Sequence, residues 1–180
     1  MKYFTNELWK QFSSPDEAVR KNAGSIWDDN TKAYAAQLRS LARKVPHSTM
    51  AAIRKISSGE VDLHDSRLMG ISFSSTESEH SRLSRALGRP PRSYERTFHL
   101  QVTDGATNVE LIMQGMNKMC VEMEYWQETG FDVRWGYCEF SYRKPYVVLS
   151  ILWESGHVWE LEFTALTIAQ YEAKRAKGKG

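Results

Sequence analysis

The feature that most constrains the fold of this chain is a change in its hydrophobic period near residue 60. Before that point, apolar residues recur every three or four positions, which is typical of one face of a helix. After it, apolar and polar residues alternate, which is typical of strands. Because the helical signals come first and the strand signals follow as a run, the pattern predicts an α+β fold: N-terminal helices pack on a mostly antiparallel sheet of about six or seven strands.

The first third of the chain carries signals for three helices. The stretch SPDE at 14–17 predicts the start of a long helix, because serine can cap, proline fits the first helical position and acids suit the positive end of the helix dipole. An apolar stripe then runs from Val19 to Val45, and Pro46 predicts its end. Shorter helices are predicted over NELWKQF, near the start, and from Ser48 to Ile56.

The strand segments are separated by turn-forming pairs such as Asp104-Gly105 and Ser155-Gly156, at the spacing of a meander. The polar stretch 74–93 is expected to be a long exposed loop. A length of 180 residues suits one domain with a substantial core. We therefore expect a single domain over 1–171, with helices in 6–57 and the sheet in 66–170, followed by a basic flexible tail at 172–180.

Composition excludes several classes of protein. The sequence has no run of 18 apolar residues, which predicts no membrane span, and its first residues lack the apolar stretch of a secretory signal. We therefore expect a cytoplasmic protein. In a reducing cytoplasm, Cys120 and Cys138 are expected to be free thiols.

Alternation places four acids on one side of the predicted sheet, opposite an apolar side that includes Trp159, Leu161 and Phe163. The four acids are Glu122, Glu124, Glu160 and Glu162. Glu139 joins them if a bulge after Gly136 shifts the register. One interpretation is an ordinary solvated face; the other is an acidic docking surface for a basic protein partner.

The His64-Asp65 pair is the only stretch with the look of catalytic chemistry, because a His-Asp dipeptide occurs in some metal-dependent hydrolases. Such a site needs several further ligands, and none of the other histidines forms an HxxxH pair. The dipeptide also follows a Gly-Glu turn and precedes a strand. We therefore expect His64 and Asp65 to hold a turn, in which the Asp65 carboxylate accepts hydrogen bonds from nearby backbone N–H groups. No catalytic residue, metal or cofactor is expected. The alternative is a metal-dependent hydrolase centred on the dipeptide.

A second alternative is a nucleic-acid binder that uses the segment from Arg82 to Arg96, which holds five arginines and one acid. The candidate anion contacts are Arg82, Arg85, Arg89 and Arg92. From Asp104 to Glu172, however, eleven acids face four bases, and this excess would repel a polyanion. A nucleic-acid partner is therefore not expected.

Three stretches carry a family resemblance: YFTNELW at the start, LHDS before a strand, and WESGHVWELEF near the end. They resemble a family of small uncharacterised bacterial cytoplasmic proteins, and similar small sheet proteins occur as immunity or antitoxin partners. The resemblance implies no catalytic residues. Together with the charge pattern, it leads us to expect a non-enzymatic protein-binding domain, of the kind that neutralises a basic bacterial toxin or effector.

Overall fold

The computed structural model describes residues 1–77, 86–87, 94–121 and 133–173. The helices are α1 (Asn6–Phe12), α2 (Glu17–Leu41) and α3 (His47–Ser57). The strands are β1 (Arg67–Glu77), β2 (Tyr94–Thr103), β3 (Thr107–Gln114), β4 (Lys118–Cys120), β5 (Trp135–Arg143), β6 (Tyr146–Trp153), β7 (Val158–Phe163) and β8 (Ala165–Glu172).

The predicted α+β class is confirmed, but the prediction of one sheet is wrong. The described strands form two antiparallel sheets of four strands each, which we call sheet A (order β1-β2-β3-β8) and sheet B (order β4-β7-β6-β5). The chain passes from A to B after Gln114 and returns at Thr164, where the Thr164 N–H donates to the Gln114 carbonyl at 2.9 Å. Only one residue separates β7 from β8, so the apolar alternation gives no sign that the sheet has changed.

The main core lies between the two sheets. Sheet A contributes buried residues that include Phe98, Leu100 and Leu111, and sheet B contributes three tryptophans, Trp135, Trp153 and Trp159. The tryptophan rings meet edge to face, with centroids 5.5 Å and 4.7 Å apart. This geometry is favourable for aromatic pairs. Removal of this apolar surface from water is the largest favourable contribution to holding the sheets together.

Helix α2 begins one residue after its capping side chain. The N-cap is Asp16, whose carboxylate accepts from the Ala18 N–H at 2.8 Å, so the expectation that a serine caps this helix is wrong. Ser14 instead accepts from the Asp16 N–H at 3.2 Å and orders the entry to the helix. The predicted long helix is otherwise present, and it continues through Gly24 without a break.

In the described part of the chain, helices cover two of the four sheet edges. On β5, the Phe140 N–H donates to the Tyr34 hydroxyl and the Phe140 carbonyl accepts from the Gln37 amide, both residues of α2. On β8, the Leu166 N–H donates to the Thr49 hydroxyl of α3. These contacts satisfy backbone groups that an edge strand would otherwise present to other chains.

Candidate functional site

The other two edges, β1 of sheet A and β4 of sheet B, flank a groove of about 390 Å³. Three apolar side chains, Phe73, Met116 and Met119, line it. Two cations, Arg96 and Lys118, line it as well. A volume of this size is in the range of ligand-binding clefts, so we take this groove as the candidate site.

Phe73 is the most conspicuous of the apolar residues. It lies opposite the fully buried Phe98 in the β1–β2 ladder, and their ring centroids are 4.9 Å apart. Phe73 therefore lies on the core side of sheet A, yet it is 58% exposed. On the other side of the groove, β4 is only three residues long, and its Met119 is 38% exposed. Exposed apolar side chains gathered in this way are typical of a contact surface.

Both strands that flank the groove lack a helical cover within the described ranges. β1 pairs with β2 on one side, and β4 pairs with β7 on one side. The segment before β5 pairs with the first residues of β1, because the Leu68 N–H donates a hydrogen bond to the Val133 carbonyl at 2.9 Å. From Ile71 onward, β2 is the only strand in the described part of the chain that pairs with β1. Open edges of this kind can receive an added strand.

The described residues that line the groove carry positive charge. Arg96 lies opposite Ser75 in the ladder, and Lys118 lies opposite Glu162; both cations are exposed. Glu162, the ladder partner of Lys118, is already compensated by an ion pair with Arg143 and a hydrogen bond from Asn117 at 2.7 Å. The Asn117 hydrogen bond, and then the contacts with Arg143 and Lys118, hold the pKa of Glu162 below its usual range, so it stays ionised and paired.

The structure describes two of the four glutamates of the expected acidic surface, Glu160 and Glu162. Glu162 is only 4% exposed, so the prediction that its carboxylate faces a partner is wrong: its two partner side chains enclose it. Glu160 is partly exposed. Glu122 and Glu124 lie outside the described residues. Within the described residues, Glu160 is therefore the accessible member of the expected set.

Glu139, the fifth acid considered for this surface, is also buried. The bulge at Gly136 places it opposite Ser150, in the row that contains Glu160. It is 4% exposed, however, because the first residues of the chain lie over it. Its carboxylate accepts from the backbone N–H groups of Lys2, Tyr3 and Phe4 at 2.6 to 2.8 Å. A carboxylate used in this way holds the N-terminal segment on sheet B and is not available to a partner.

His64 and Asp65 form the turn that precedes β1. The carboxylate that accepts a backbone hydrogen bond in this turn belongs to Asp62, whose Oδ1 lies 2.9 Å from the His64 nitrogen, and not to Asp65 as expected. Asp65 has a positive φ of 60°, its N–H donates to the Trp135 carbonyl at 2.8 Å, and its carboxylate lies 3.1 Å from His64 Nδ1.

The turn opens onto a second cleft, of about 460 Å³, in which Arg67, Arg134 and Asp104 face the dipeptide. Over the described ranges, no group of three or more His, Cys, Asp or Glu side chains is placed to hold a metal ion.

The candidate anion contacts Arg82, Arg85, Arg89 and Arg92 lie outside the described residues, and Arg96 at the end of that segment lines the groove.

Sequence reasoning missed the groove because alternation shows on which side of a sheet Phe73 lies, but not whether an opposing strand covers it.

The described helices include none that is long and apolar enough to cross a membrane. A scan against protein-family models found no match, and searches of curated proteins and of solved structures also found none.

Proposed function

We propose that this chain is a protein-binding domain that takes an extended, acidic and apolar segment of a partner protein into the groove between β1 and β4. The observation that carries the proposal is the exposure of Phe73 on the core side of sheet A, between two strand edges that no described helix covers. Binding of this kind requires no catalytic residue.

The shape of the groove favours an extended occupant. A strand added to β1 would use main-chain hydrogen bonds for affinity, while alternate side chains would enter the space lined by Phe73, Met116 and Met119. Methionine adapts to differently shaped apolar partners because its side chain is flexible and polarizable. The groove therefore suits a segment in which every second residue is apolar.

The charge of the groove favours an acidic occupant. Arg96 and Lys118 are exposed at the groove, and Glu162, opposite Lys118, is already paired with Arg143. Opposite charges speed association and exclude partners of the wrong sign. The sign is the reverse of the basic effector expected from the sequence. A role as an immunity or antitoxin partner stays a prediction from the resemblance alone.

Two synthetic peptides test the proposal, one alternating apolar residues with glutamate and one alternating them with lysine. We expect fluorescence anisotropy to show that the glutamate peptide binds and that its affinity falls as salt rises, because the contacts are partly exposed. The lysine peptide should bind much more weakly. Binding of neither peptide, or equal binding of both, would overturn the proposal.

Two exposed apolar residues on the same strand provide a matched pair of variants. Phe73→Ala removes the apolar wall of the groove, whereas Met69→Ala removes a side chain that is 59% exposed and lies in the other cleft. We expect the first change to weaken binding of the glutamate peptide at least about tenfold, in line with the loss of a buried aromatic anchor. If Met69→Ala weakens it equally, the groove is not the site.

A further inference from the structure

The outer face of sheet A carries a chain of three polar side chains joined by hydrogen bonds. Ser74 Oγ lies 3.3 Å from His99 Nε2, and His99 Nδ1 lies 3.0 Å from Glu110 Oε1. The three residues come from β1, β2 and β3, and the antiparallel registers bring them together. They stand in the order hydroxyl, imidazole and carboxylate.

The neighbours of His99 determine which of its ring nitrogens carries the proton in the neutral imidazole. An ionised carboxylate only accepts hydrogen bonds, so Glu110 requires the proton of a neutral imidazole to be on Nδ1. The lone pair of Nε2 then points to the Ser74 hydroxyl, which donates to it. This is the arrangement in which an imidazole can take a proton from a hydroxyl as the hydroxyl attacks an electrophile.

A fourth side chain holds the carboxylate in position. Gln101 Nε2 donates to Glu110 Oε1 at 3.1 Å, so the oxygen that orients His99 is itself held by its neighbour on the ladder. The His99 and Glu110 side chains are 24% and 20% exposed. Ser74 is exposed, and therefore accessible to a reagent from solvent.

We propose that Ser74 is a nucleophile for acyl transfer from carboxylic esters, with His99 as the base and Glu110 as a positioning residue. Ser74 Oγ would attack the ester carbonyl carbon and lose its proton to His99 Nε2. The bond between the carbonyl carbon and the alkoxy oxygen of the ester then breaks. The alkoxy oxygen takes the proton from His99 and leaves as the alcohol, and an acyl-serine remains. A water molecule, activated by the same nitrogen, hydrolyses the acyl-serine to the carboxylic acid and restores the hydroxyl.

The position of Ser74 connects this chemistry with the groove. Its side chain belongs to the outer face, but the residue also lines the groove, because β1 is an edge strand. An ester bound beside Phe73 would therefore lie against the strand that carries the hydroxyl. The reactivity of Ser74 does not depend on the proposed protein partner, and either can fail without the other.

An activated ester, p-nitrophenyl acetate, is a suitable probe, since its good leaving group makes little demand on the protein. We expect release of nitrophenolate, with mass spectrometry locating the acetyl group on Ser74. Ser74→Ala should remove the acetyl group from position 74 and lower nitrophenolate release to the background of spontaneous hydrolysis and lysine acetylation. Ser72→Ala is the matched control: Ser72 is also exposed, lies two residues earlier on β1 and is directly opposite His99 in the ladder, so its loss should leave both signals unchanged.

Two further variants separate chemistry from structure. His99→Gln should slow acetylation of Ser74 about 100-fold or more, as expected for loss of a general base. Glu110→Gln should both slow the reaction and move its pH–rate profile, whereas a purely structural loss would lower the rate without moving the profile. Acetylation of Ser72 or of lysines at the rate of Ser74, or an unchanged rate in His99→Gln, would overturn the proposal.

Discussion

Glu139 accepts a hydrogen bond from the backbone N–H of Tyr3 at 2.6 Å, across 136 residues of sequence. The same oxygen accepts from the Phe4 N–H at 2.6 Å, and the other oxygen accepts from the Lys2 N–H at 2.8 Å. Tyr3 and Phe4 then pack with Tyr34 of α2 in a second, smaller core. One buried carboxylate therefore joins the start of the chain, the longest helix and strand β5.

Glu139→Gln should destabilise the protein by roughly 1–3 kcal/mol, because an amide nitrogen cannot accept and one backbone N–H loses its partner. Urea denaturation followed by tryptophan fluorescence would measure the change in the free energy of unfolding. Glu160→Gln, in the same row of sheet B but partly exposed, is the control and should have little effect. Equal midpoints for wild type and Glu139→Gln would show that these hydrogen bonds contribute little.

Two glycines should respond in opposite ways to substitution by alanine. A Cβ at Gly136 would lie 2.8 Å from the Leu152 carbonyl oxygen, so we expect Gly136→Ala to destabilise the protein by about 1–3 kcal/mol. A Cβ at Gly24, inside α2, would contact nothing within 4 Å, so Gly24→Ala should stabilise it by about 0.5–1 kcal/mol. Thermal melting of both variants would check this; a shift of the same sign in both would contradict the described packing.

The turn before β1 gives a prediction that depends on backbone conformation. Asp65 has a φ of 60°, which asparagine tolerates and a β-branched residue does not. Asp65→Val should therefore cost about 1–2 kcal/mol of folding free energy, whereas Asp65→Asn should be nearly neutral. Comparison of the two by urea denaturation separates backbone strain from loss of the carboxylate. Equal destabilisation by both variants would assign the effect to the carboxylate.

The two cysteines should differ in reactivity and in their effect on pH dependence. Burial, and then the charge of Glu139, raise the pKa of the Cys138 thiol to about 12, while a hydrogen bond with Trp135 opposes the shift. Cys120 is exposed, whereas Cys138 is partly buried against the main core. In the native protein, a thiol-specific reagent such as Ellman's should modify Cys120 quickly and Cys138 much more slowly. Rapid modification of two thiols in native protein would contradict this.

The raised pKa of Cys138 also predicts a loss of stability in alkali. An unfolded cysteine ionises near pH 8.5, while the folded protein keeps this proton until about pH 12. Between these values the folded state binds more protons, so stability falls as pH rises. We expect the free energy of unfolding to drop by about 2 kcal/mol between pH 8 and pH 10. The drop should be smaller in Cys138→Ala and unchanged in Cys120→Ala.

Much of the fold was predictable because its elements have strong local signals. The stripe that predicts α2 includes Tyr34 and Leu41, both buried, and the alternation that predicts β7 includes Trp159, Leu161 and Phe163, all buried. The division into two sheets was not predictable. It depends on how the chain turns beside Gly115 and Thr164, and alternation across β7 and β8 is the same whether two strands share a sheet or not.

The candidate site was less predictable than the fold. Alternation places Glu162 on the side opposite Leu161, but only the tertiary structure shows that Asn117 and Arg143 enclose it. The same holds for His99 and Glu110, because pairing between strands requires the register as well as the pattern. Phe73 alternates like a core residue in the sequence, and only the tertiary structure shows that it is 58% exposed.

The two strands that flank the groove, β1 and β4, belong to different sheets, and this affects how binding changes stability. Each belongs to a different sheet, and the two sheets meet mainly through the apolar layer between them. A molecule that bound both strands would link the two sheets across that layer. Because it would bind only the folded state, in which the sheets are together, its binding should raise the melting temperature of the whole domain.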